Sequence, residues 1–264
     1  MAVLSVDLAF RRWCDLGVVV LDRARLASSP SLLLPGERES SVPHIDCEII
    51  PWNDAGLVDV EVLAGRLNHL CGVRGIQVLM LDGPQAWKSR HNGLEHARVS
   101  ERELNTAAKT GLPGMVKPIT YRRFAEFCLD VYDALVRRGW RRLDTREQPG
   151  SALGRVLVES YPYAAWKSLG LKPLPAKRRA QVSDLATAFG ALRGVARLTV
   201  NRPPNHDQLQ AIVGGLPGLA LEERDAAGVR IVGSPPRREE GQWREGYIVL
   251  PLPPRPPLGI RWLS

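Results

Sequence analysis

The sequence lacks most features that mark a protein as secreted, membrane-bound or stabilised by zinc. Its four cysteines, at positions 14, 47, 71 and 128, form no C-x-x-C pair and have no histidine beside them at metal-ligand spacing. They are predicted to be buried, reduced thiols. The amino terminus has no basic segment followed by an apolar stretch and a cleavage site. No apolar run is long enough to span a bilayer. We therefore expect a cytoplasmic protein with no membrane partner.

The chain does have a basic charge balance and enough length for a full core. It contains 264 residues, of which 44% are hydrophobic and 24% charged, as in an ordinary globular protein. The formal net charge of +8 favours anionic partners, nucleic acid above all, but specifies neither fold nor chemistry. The sequence shows no repeat and no clear linker. Residues 1–264 are therefore predicted to form one domain, with a polar insertion at about 85–118 and a Pro-rich carboxyl-terminal extension.

Apolar runs of strand length alternate with segments of helical spacing. Strands are predicted at residues 4–9 and 16–21, which form a hairpin, and at 46–52, 76–84, 155–162, 219–223, 229–232 and 247–250. Helices are predicted at 58–70, 101–109, 120–138, 163–169 and 182–192, and from 205 onward. Residues 27–43 are predicted to be a loop. This alternation predicts an α/β fold with a mixed sheet and helices on both faces.

Four carboxylates occupy positions that a purely structural role does not readily explain. Asp7 lies in the first apolar strand, Asp82 ends a buried strand, and Glu159 is near the end of another. Asp207 begins a late helix. If the three strands are neighbours, their carboxylates gather at one edge of the sheet. Clustered carboxylates repel one another and become favourable when a divalent cation binds between them. The pattern therefore predicts a site for Mg²⁺ or Mn²⁺ that acts on phosphodiesters.

Five short motifs of the sequence resemble those of one uncharacterised family. They are Val6-Asp7-Leu8-Ala9, Leu81-Asp82-Gly83-Pro84, Val158-Glu159-Ser160-Tyr161-Pro162, His206-Asp207, and Glu245-Gly246-Tyr247-Ile248-Val249-Leu250-Pro251. In order and spacing they resemble the DUF429 family, which is regarded as predicted nucleases of ribonuclease H-like fold. The resemblance extends from Asp7 to Pro251. It implies a ribonuclease H-like core and a metal-dependent nuclease.

The resemblance also implies roles for individual residues. Asp7, Asp82, Glu159 and Asp207 would be the catalytic metal ligands, and His206 would contact a leaving group or a phosphate. The sequence departs from such folds after the first strand, where small residues are usual and the bulky Phe10-Arg11-Arg12-Trp13 stands instead. Two alternatives follow: the substrate is placed differently, or Arg11 and Arg12 hold phosphate themselves. Lys88, Arg90, Arg98 and Arg102, which follow the Asp82 strand, are candidates for a phosphate-binding face, and a solvated surface is the alternative for each of them.

Other interpretations stay open at this level. Asp7 can be satisfied by backbone amides or an arginine, Asp82 before Gly-Pro is a common turn residue, and Asp207 suits the first turn of a helix. The chain would then be a non-catalytic nucleic-acid-binding protein with a degenerate ribonuclease H-like core. A third alternative is a nucleotide-binding protein of the actin-like ATPase type. The single core and the missing glycine-rich phosphate loop argue against it, and the missing G-x-x-x-x-G-K-[ST] motif argues against a P-loop enzyme.

Overall fold

The computed structural model describes residues 1–23, 44–146 and 154–253. The strands are β1 (Ala2–Asp7), β2 (Gly17–Arg23), β3 (His44–Ile49), β4 (Val78–Asp82), β5 (Arg141–Arg142), β6 (Val156–Ser160), β7 (Arg197–Val200), β8 (Val229–Glu239) and β9 (Gln242–Pro251). The helices are α1 (Val60–Arg74), α2 (Val99–Glu103), α3 (Arg122–Arg137), α4 (Pro162–Ser168), α5 (Val182–Val195) and α6 (His206–Glu222). The predicted loop at 27–43 and most of the Pro-rich extension lie outside these ranges.

The strands form one mixed sheet with the order β7-β3-β2-β1-β4-β6-β9-β8, and β5 pairs with β6. β1, β2 and β3 are antiparallel neighbours, whereas β4 is parallel to β1 and β6 is parallel to β4. An antiparallel hairpin that continues into parallel strands in the order 3-2-1-4-6 is the ribonuclease H-like arrangement. The predicted fold class is therefore confirmed.

Helices cover both faces of the sheet because its central strands are apolar on both sides. On one face, Val3, Val19, Met80 and Val158 pack into a core that α4, α5 and α6 complete. On the other face, Leu4, Val18, Leu79 and Leu157 pack against α1 and α3. Successive residues of a strand point to opposite faces, so each strand contributes to both cores.

α6 packs very closely on the centre of the sheet. A Cβ atom added to Gly215 would lie 2.7 Å from the Ser5 Cβ atom, and one added to Gly218 would lie 2.9 Å from the Met80 Cγ atom. Glycine at these positions lets the helix backbone approach β1 and β4 at a distance that a larger residue would prevent. The start of α6 is thereby held at the carboxyl ends of the central strands.

The polar segment after β4 is held against β9. Backbone hydrogen bonds join Trp87 N to the Trp243 oxygen (3.0 Å) and Glu245 N to the Trp87 oxygen (2.8 Å). The buried Glu245 carboxylate accepts hydrogen bonds from the backbone amides of Ser89 and Val99, each at 2.8 Å. These contacts fix the polar segment beside the carboxyl ends of β4 and β6.

Several sequence-based boundaries need correction. Residues 219–223 were expected to form a strand, but residues up to Glu222 belong to α6, whose interior tolerates Pro217. The helix expected at 101–109 is only Val99–Glu103. The short strands β5 and β7 were not expected. Cys47, Cys71 and Cys128 are buried thiols as predicted, but Cys14 is exposed. No helix within the described ranges is long and apolar enough to cross a bilayer.

Candidate carboxylate site

Asp7 and Asp82 lie side by side at the ends of the two central parallel strands. They are direct register partners, and their side chains point to the face covered by α6, in phase with Val3 and Met80. The two carboxyl groups hydrogen-bond to each other. Within the described ranges, neither has an arginine or lysine at ion-pair distance. Two adjacent acids without a cation are costly to ionise together.

The electrostatics of this pair reflect that cost. Burial is the largest cause that raises the pKa of Asp7 well above its ordinary value, and the charges of Asp82 and Asp207 raise it further. Burial also raises the pKa of Asp82, to about 7, with the charge of Glu159 as a further cause. A shared proton is therefore favoured at neutral pH unless a positive charge binds between the two carboxylates.

Asp207 comes to the same place from the start of α6. Asn205 caps this helix as predicted, and its side chain accepts a hydrogen bond from the Gln208 amide at 2.9 Å. Gly17 is the register partner of Asp7, and a Cβ atom added there would collide with the Asp207 carbonyl. Glycine at position 17 thus allows the α6 start to lie directly against β2, which brings Asp207 within electrostatic range of Asp7.

A lysine from the connector before α5 neutralises Asp207. The Lys177 ammonium contacts one Asp207 carboxylate oxygen and also Asp15 Oδ1, which it reaches at 2.8 Å. Its positive charge opposes the rise in the Asp7 pKa. The Lys177 side chain is 46% exposed, whereas that of Asp207 is 8% exposed. A partly exposed cation therefore lies at the edge of a buried acidic group.

Glu159 lies on the opposite face of the sheet. Its register partner is Leu81, whereas Asp82 is paired with Ser160. Because side chains alternate between faces, Ser160 and not Glu159 is in phase with Asp7 and Asp82. Both Glu159 oxygens accept hydrogen bonds from the Arg98 guanidinium, at 2.6 and 2.7 Å, and one also accepts from the Gln85 amide at 3.0 Å. Burial raises the pKa of Glu159, and Arg98 opposes that rise.

The predicted phosphate-binding residues have different surroundings. Arg11 is exposed and lines an open groove of about 510 Å³ with Phe10 and Arg123. Arg12 is exposed and forms a two-point ion pair with Asp15 at 2.7 and 2.8 Å. The imidazole of His206 is largely buried between the Asp207 carboxylate (3.3 Å) and the Pro175 carbonyl (3.0 Å).

Lys88 and Arg90, the candidates that follow β4, are buried in one case and paired with a carboxylate in the other. Lys88 is buried, and its ammonium donates a hydrogen bond to the Ser89 carbonyl at 2.7 Å. Arg90 is exposed and contacts Glu240 at 3.2 Å. The structure therefore places His206 in contact with Asp207 and Arg12 in contact with Asp15, which shares Lys177 with Asp207. Arg11 lies in a groove with α3 residues, and Lys88 is held inside the segment that packs on β9.

The donor set suits a divalent cation only in part. Asp7 and Asp82 offer hard carboxylate oxygens, which Mg²⁺ and Mn²⁺ prefer, and Asp207 lies within electrostatic range of Asp7 but is paired with Lys177. Glu159 does not fit, because Arg98 already engages both of its oxygens. Among residues 1–23, 44–146 and 154–253, no three His, Cys, Asp or Glu side chains form a preformed cluster for a metal ion.

The roles of two charged residues at the site, Lys177 and Arg98, were not identified from sequence. Lys177 belongs to a basic, Pro-containing connector, and such a segment usually indicates a solvated surface. Arg98 is 1% exposed, although an arginine within a polar insertion is expected to face water. Of these two residues, only Arg98 had a sequence signal. Glu159 is a carboxylate in an apolar strand and therefore needs a buried cationic partner somewhere in the chain.

Known proteins show only a distant likeness to this chain. No model of a known protein family matches the chain, and no curated protein matches it. The structure of RuvC from Thermus thermophilus covers 81% of this chain and 90% of its own, with 11% identity and a TM-score of 0.37. The T. thermophilus RuvC complex with a Holliday junction substrate has the same coverage and identity and a TM-score of 0.35. At these scores the two likenesses support no argument about the site, and the resemblance to DUF429 stays a prediction.

Proposed function

We propose that this protein is a divalent-metal-dependent nuclease that hydrolyses phosphodiester bonds of nucleic acid. The observation that supports this most directly is the Asp7–Asp82 pair. Two largely buried carboxylates stand in register at the carboxyl ends of adjacent central strands, and within the described ranges no arginine or lysine pairs with either. A structural role would leave one of them protonated at a cost, whereas a bound cation stabilises both as carboxylates.

In this proposal Asp7, Asp82 and Asp207 hold the metal, either Mg²⁺ or Mn²⁺. Such an ion would supply a more acidic water and a positive charge next to a phosphate oxygen. Lys177 has a flexible stem and a side chain that is 46% exposed, so in this proposal its ammonium leaves Asp207 and contacts the substrate phosphate instead. Arg11 and Arg12 lie just after β1 and would hold the neighbouring phosphates of the strand.

Glu159 has a different role in this proposal. With Arg98 it forms a buried ion pair that attaches the polar segment to β6, close to Asp82. It therefore positions the surroundings of the site and is not proposed as a ligand. His206 holds the Pro175 carbonyl and the Asp207 carboxylate, and thereby positions the connector that carries Lys177.

The test is cleavage of labelled single-stranded, double-stranded and branched DNA and RNA in the presence of Mn²⁺. We expect Asp7→Asn to lower the cleavage rate by at least about a hundredfold, since the ion would lose a central ligand. Asp46→Asn is the matched control, because Asp46 is an exposed carboxylate on β3 of the same sheet. Mn²⁺ should also raise the melting temperature of the parent and not that of Asp7→Asn. Equal rates for the parent and Asp7→Asn would refute the proposal.

One observation favours a second candidate, a nucleic-acid-binding protein without catalytic activity. Arg98 and Lys177 already neutralise Glu159 and Asp207, so only one adjacent acidic pair is left for an external cation. This candidate predicts salt-dependent binding of DNA or RNA with no cleavage and no Mn²⁺-dependent stabilisation. Both Asp7→Asn and the parent would then behave alike.

A further inference from the structure

A separate cavity opens beside Asp82, at the carboxyl ends of β4 and β6. Its volume is about 280 Å³, close to the lower limit of about 300 Å³ for pockets that hold small molecules. Part of its lining comes from the polar segment after β4 and part from the residues that follow β6. A cavity of this size accommodates one flat ring system with its attachment and excludes a base pair.

Three aromatic rings line this cavity. Tyr121 immediately precedes α3 and Phe124 lies in its first turn, with their ring centroids 5.3 Å apart. Tyr161 immediately precedes α4. All three are only partly buried, so ring surface remains accessible from the cavity. Stacking on such rings is a sequence-tolerant way to hold a nucleobase, because every base has a π face.

The charged groups of the lining exclude a phosphate as the occupant. The lining contains three carboxylates, those of Asp82, Glu101 and Glu159, and one guanidinium, that of Arg98. Both Glu159 oxygens and one Glu101 oxygen already engage that guanidinium. The net charge of these four groups is negative when all are ionised, which repels an anion. A neutral ring that carries N–H donors is suited to the same surface.

The lining also offers fixed polar groups for a ring edge. Thr106 and Thr110 are buried residues of the wall, and the Thr106 hydroxyl donates a hydrogen bond to the Ala108 carbonyl at 2.7 Å. The Thr110 amide donates to the Glu101 carboxylate at 3.0 Å, which holds that wall in place. A few fixed polar groups among aromatic rings are typical of pockets that recognise a small ring.

We propose that this cavity holds one unpaired nucleobase of the strand whose phosphate lies at Asp7 and Asp82. The inference rests on the proposed function for the position of the phosphate and adds a substrate class to it. Asp82 borders both the carboxylate site and the cavity, so a nucleotide at the site has its base within reach of the three rings. The preferred substrate therefore contains an unpaired or readily extruded base, as in a single strand, a loop or a junction.

The cavity can be tested without any cleavage. The probe is a single-stranded oligonucleotide with one 2-aminopurine, titrated with the full chain in the presence of Ca²⁺ in place of Mn²⁺, and the same sequence in a fully paired duplex. Stacking on the rings quenches 2-aminopurine fluorescence, and we expect quenching with the single strand and little with the duplex. Tyr161→Ala should weaken single-strand binding by about tenfold.

Tyr163→Ala is the matched control. Tyr163 is 48% exposed on α4, is near Tyr161 with a ring distance of 6.1 Å, and does not line the cavity. A second variant, Ala107→Trp, fills the cavity from an exposed lining position and does not remove any core side chain. It should reduce the quenching as strongly as Tyr161→Ala.

The outcomes separate this inference from the proposed function. Unchanged quenching in both Ala107→Trp and Tyr161→Ala, or equal quenching for single strand and duplex, would overturn the base pocket even if Mn²⁺-dependent cleavage occurs. Quenching that depends on Tyr161 and is blocked in Ala107→Trp supports the pocket. It does so even if no nucleic acid is cleaved, in which case the nuclease proposal alone fails.

Discussion

At the scale of single residues, the environment of Asp82 determines its proton affinity. Burial raises its pKa to about 7 in the folded protein, against an ordinary value of 3.8. The folded state therefore binds this proton more tightly than the unfolded chain does. The resulting stability is complete below the unfolded pKa and is lost as the pH rises through the folded pKa.

This difference predicts a pH-dependent stability in the absence of metal. In EDTA, the melting temperature of the parent should fall between about pH 4 and about pH 7, because the folded protein holds the Asp82 proton more tightly than the unfolded chain does. Asp82→Asn removes one titrating group of the pair and should reduce that fall, with Asp7 left to titrate alone, whereas Asp46→Asn, at an exposed position, should keep the whole fall. Thermal scans at intervals of pH measure the effect. Parallel curves for the parent and Asp82→Asn would contradict the assigned pKa.

Lys177 supplies a second prediction at this scale. Its ammonium occupies the position beside Asp207 where an added cation would gain most from the acidic group. Replacing it in Lys177→Gln should strengthen Mn²⁺ binding by about fivefold or more, since two cations at such short range repel each other. Isothermal titration calorimetry measures this affinity. The control is Arg179→Gln, an exposed residue of the same connector, which should leave the affinity unchanged.

At the scale of elements, Arg98 joins α2 to β6. It is 1% exposed and contacts both Glu101 and Glu159, which are 3% exposed. Arg98→Met would leave these two acids buried without a counter-ion. We expect a loss of about 3–5 kcal/mol in the free energy of unfolding, measured in urea.

Matched variants identify the cause of that loss. Adding Glu159→Gln to Arg98→Met should recover part of it, because one buried charge is then removed. Arg122→Met removes an exposed ion pair with Glu126 and should cost no more than about 1 kcal/mol. If Arg98→Met lowered the free energy of unfolding as little as Arg122→Met does, the Arg98 ion pairs would not stabilise the contact between α2 and β6.

Some of these elements could be predicted from sequence patterns and others could not. The strands that carry Asp7 and Asp82 were predictable because uninterrupted apolar runs are typical of central strands. The orientation of Glu159 was not, because a run that is apolar on both sides does not reveal which residues face which helix. β7 was not predicted because it has only four residues and lies at the edge of the sheet. The end of α6 was mistaken for a strand because Pro217 and three glycines interrupt its helical pattern.

At the scale of the whole molecule, the net charge of +8 makes the strength of nucleic-acid binding depend on salt. The logarithm of the binding constant should fall linearly with the logarithm of salt concentration. Arg11→Gln should lower that slope by about one, because one phosphate contact would be lost. Arg74→Gln alters an exposed arginine on the far end of α1, which pairs with Glu48, and should leave the slope unchanged. Filter binding across a salt series gives both slopes.

The contact between Gly17 and the start of α6 also has a consequence for biosynthesis. It joins the first hairpin to a helix that begins almost 190 residues later. Loop closure over such a distance is slow and requires that the intervening elements be already in place. A ribosome-bound chain that has reached α5 contains Asp7 and Asp82 but not Asp207. The acidic site can therefore be completed only after α6 has been synthesised, and a chain that stops before α6 contains only its first half.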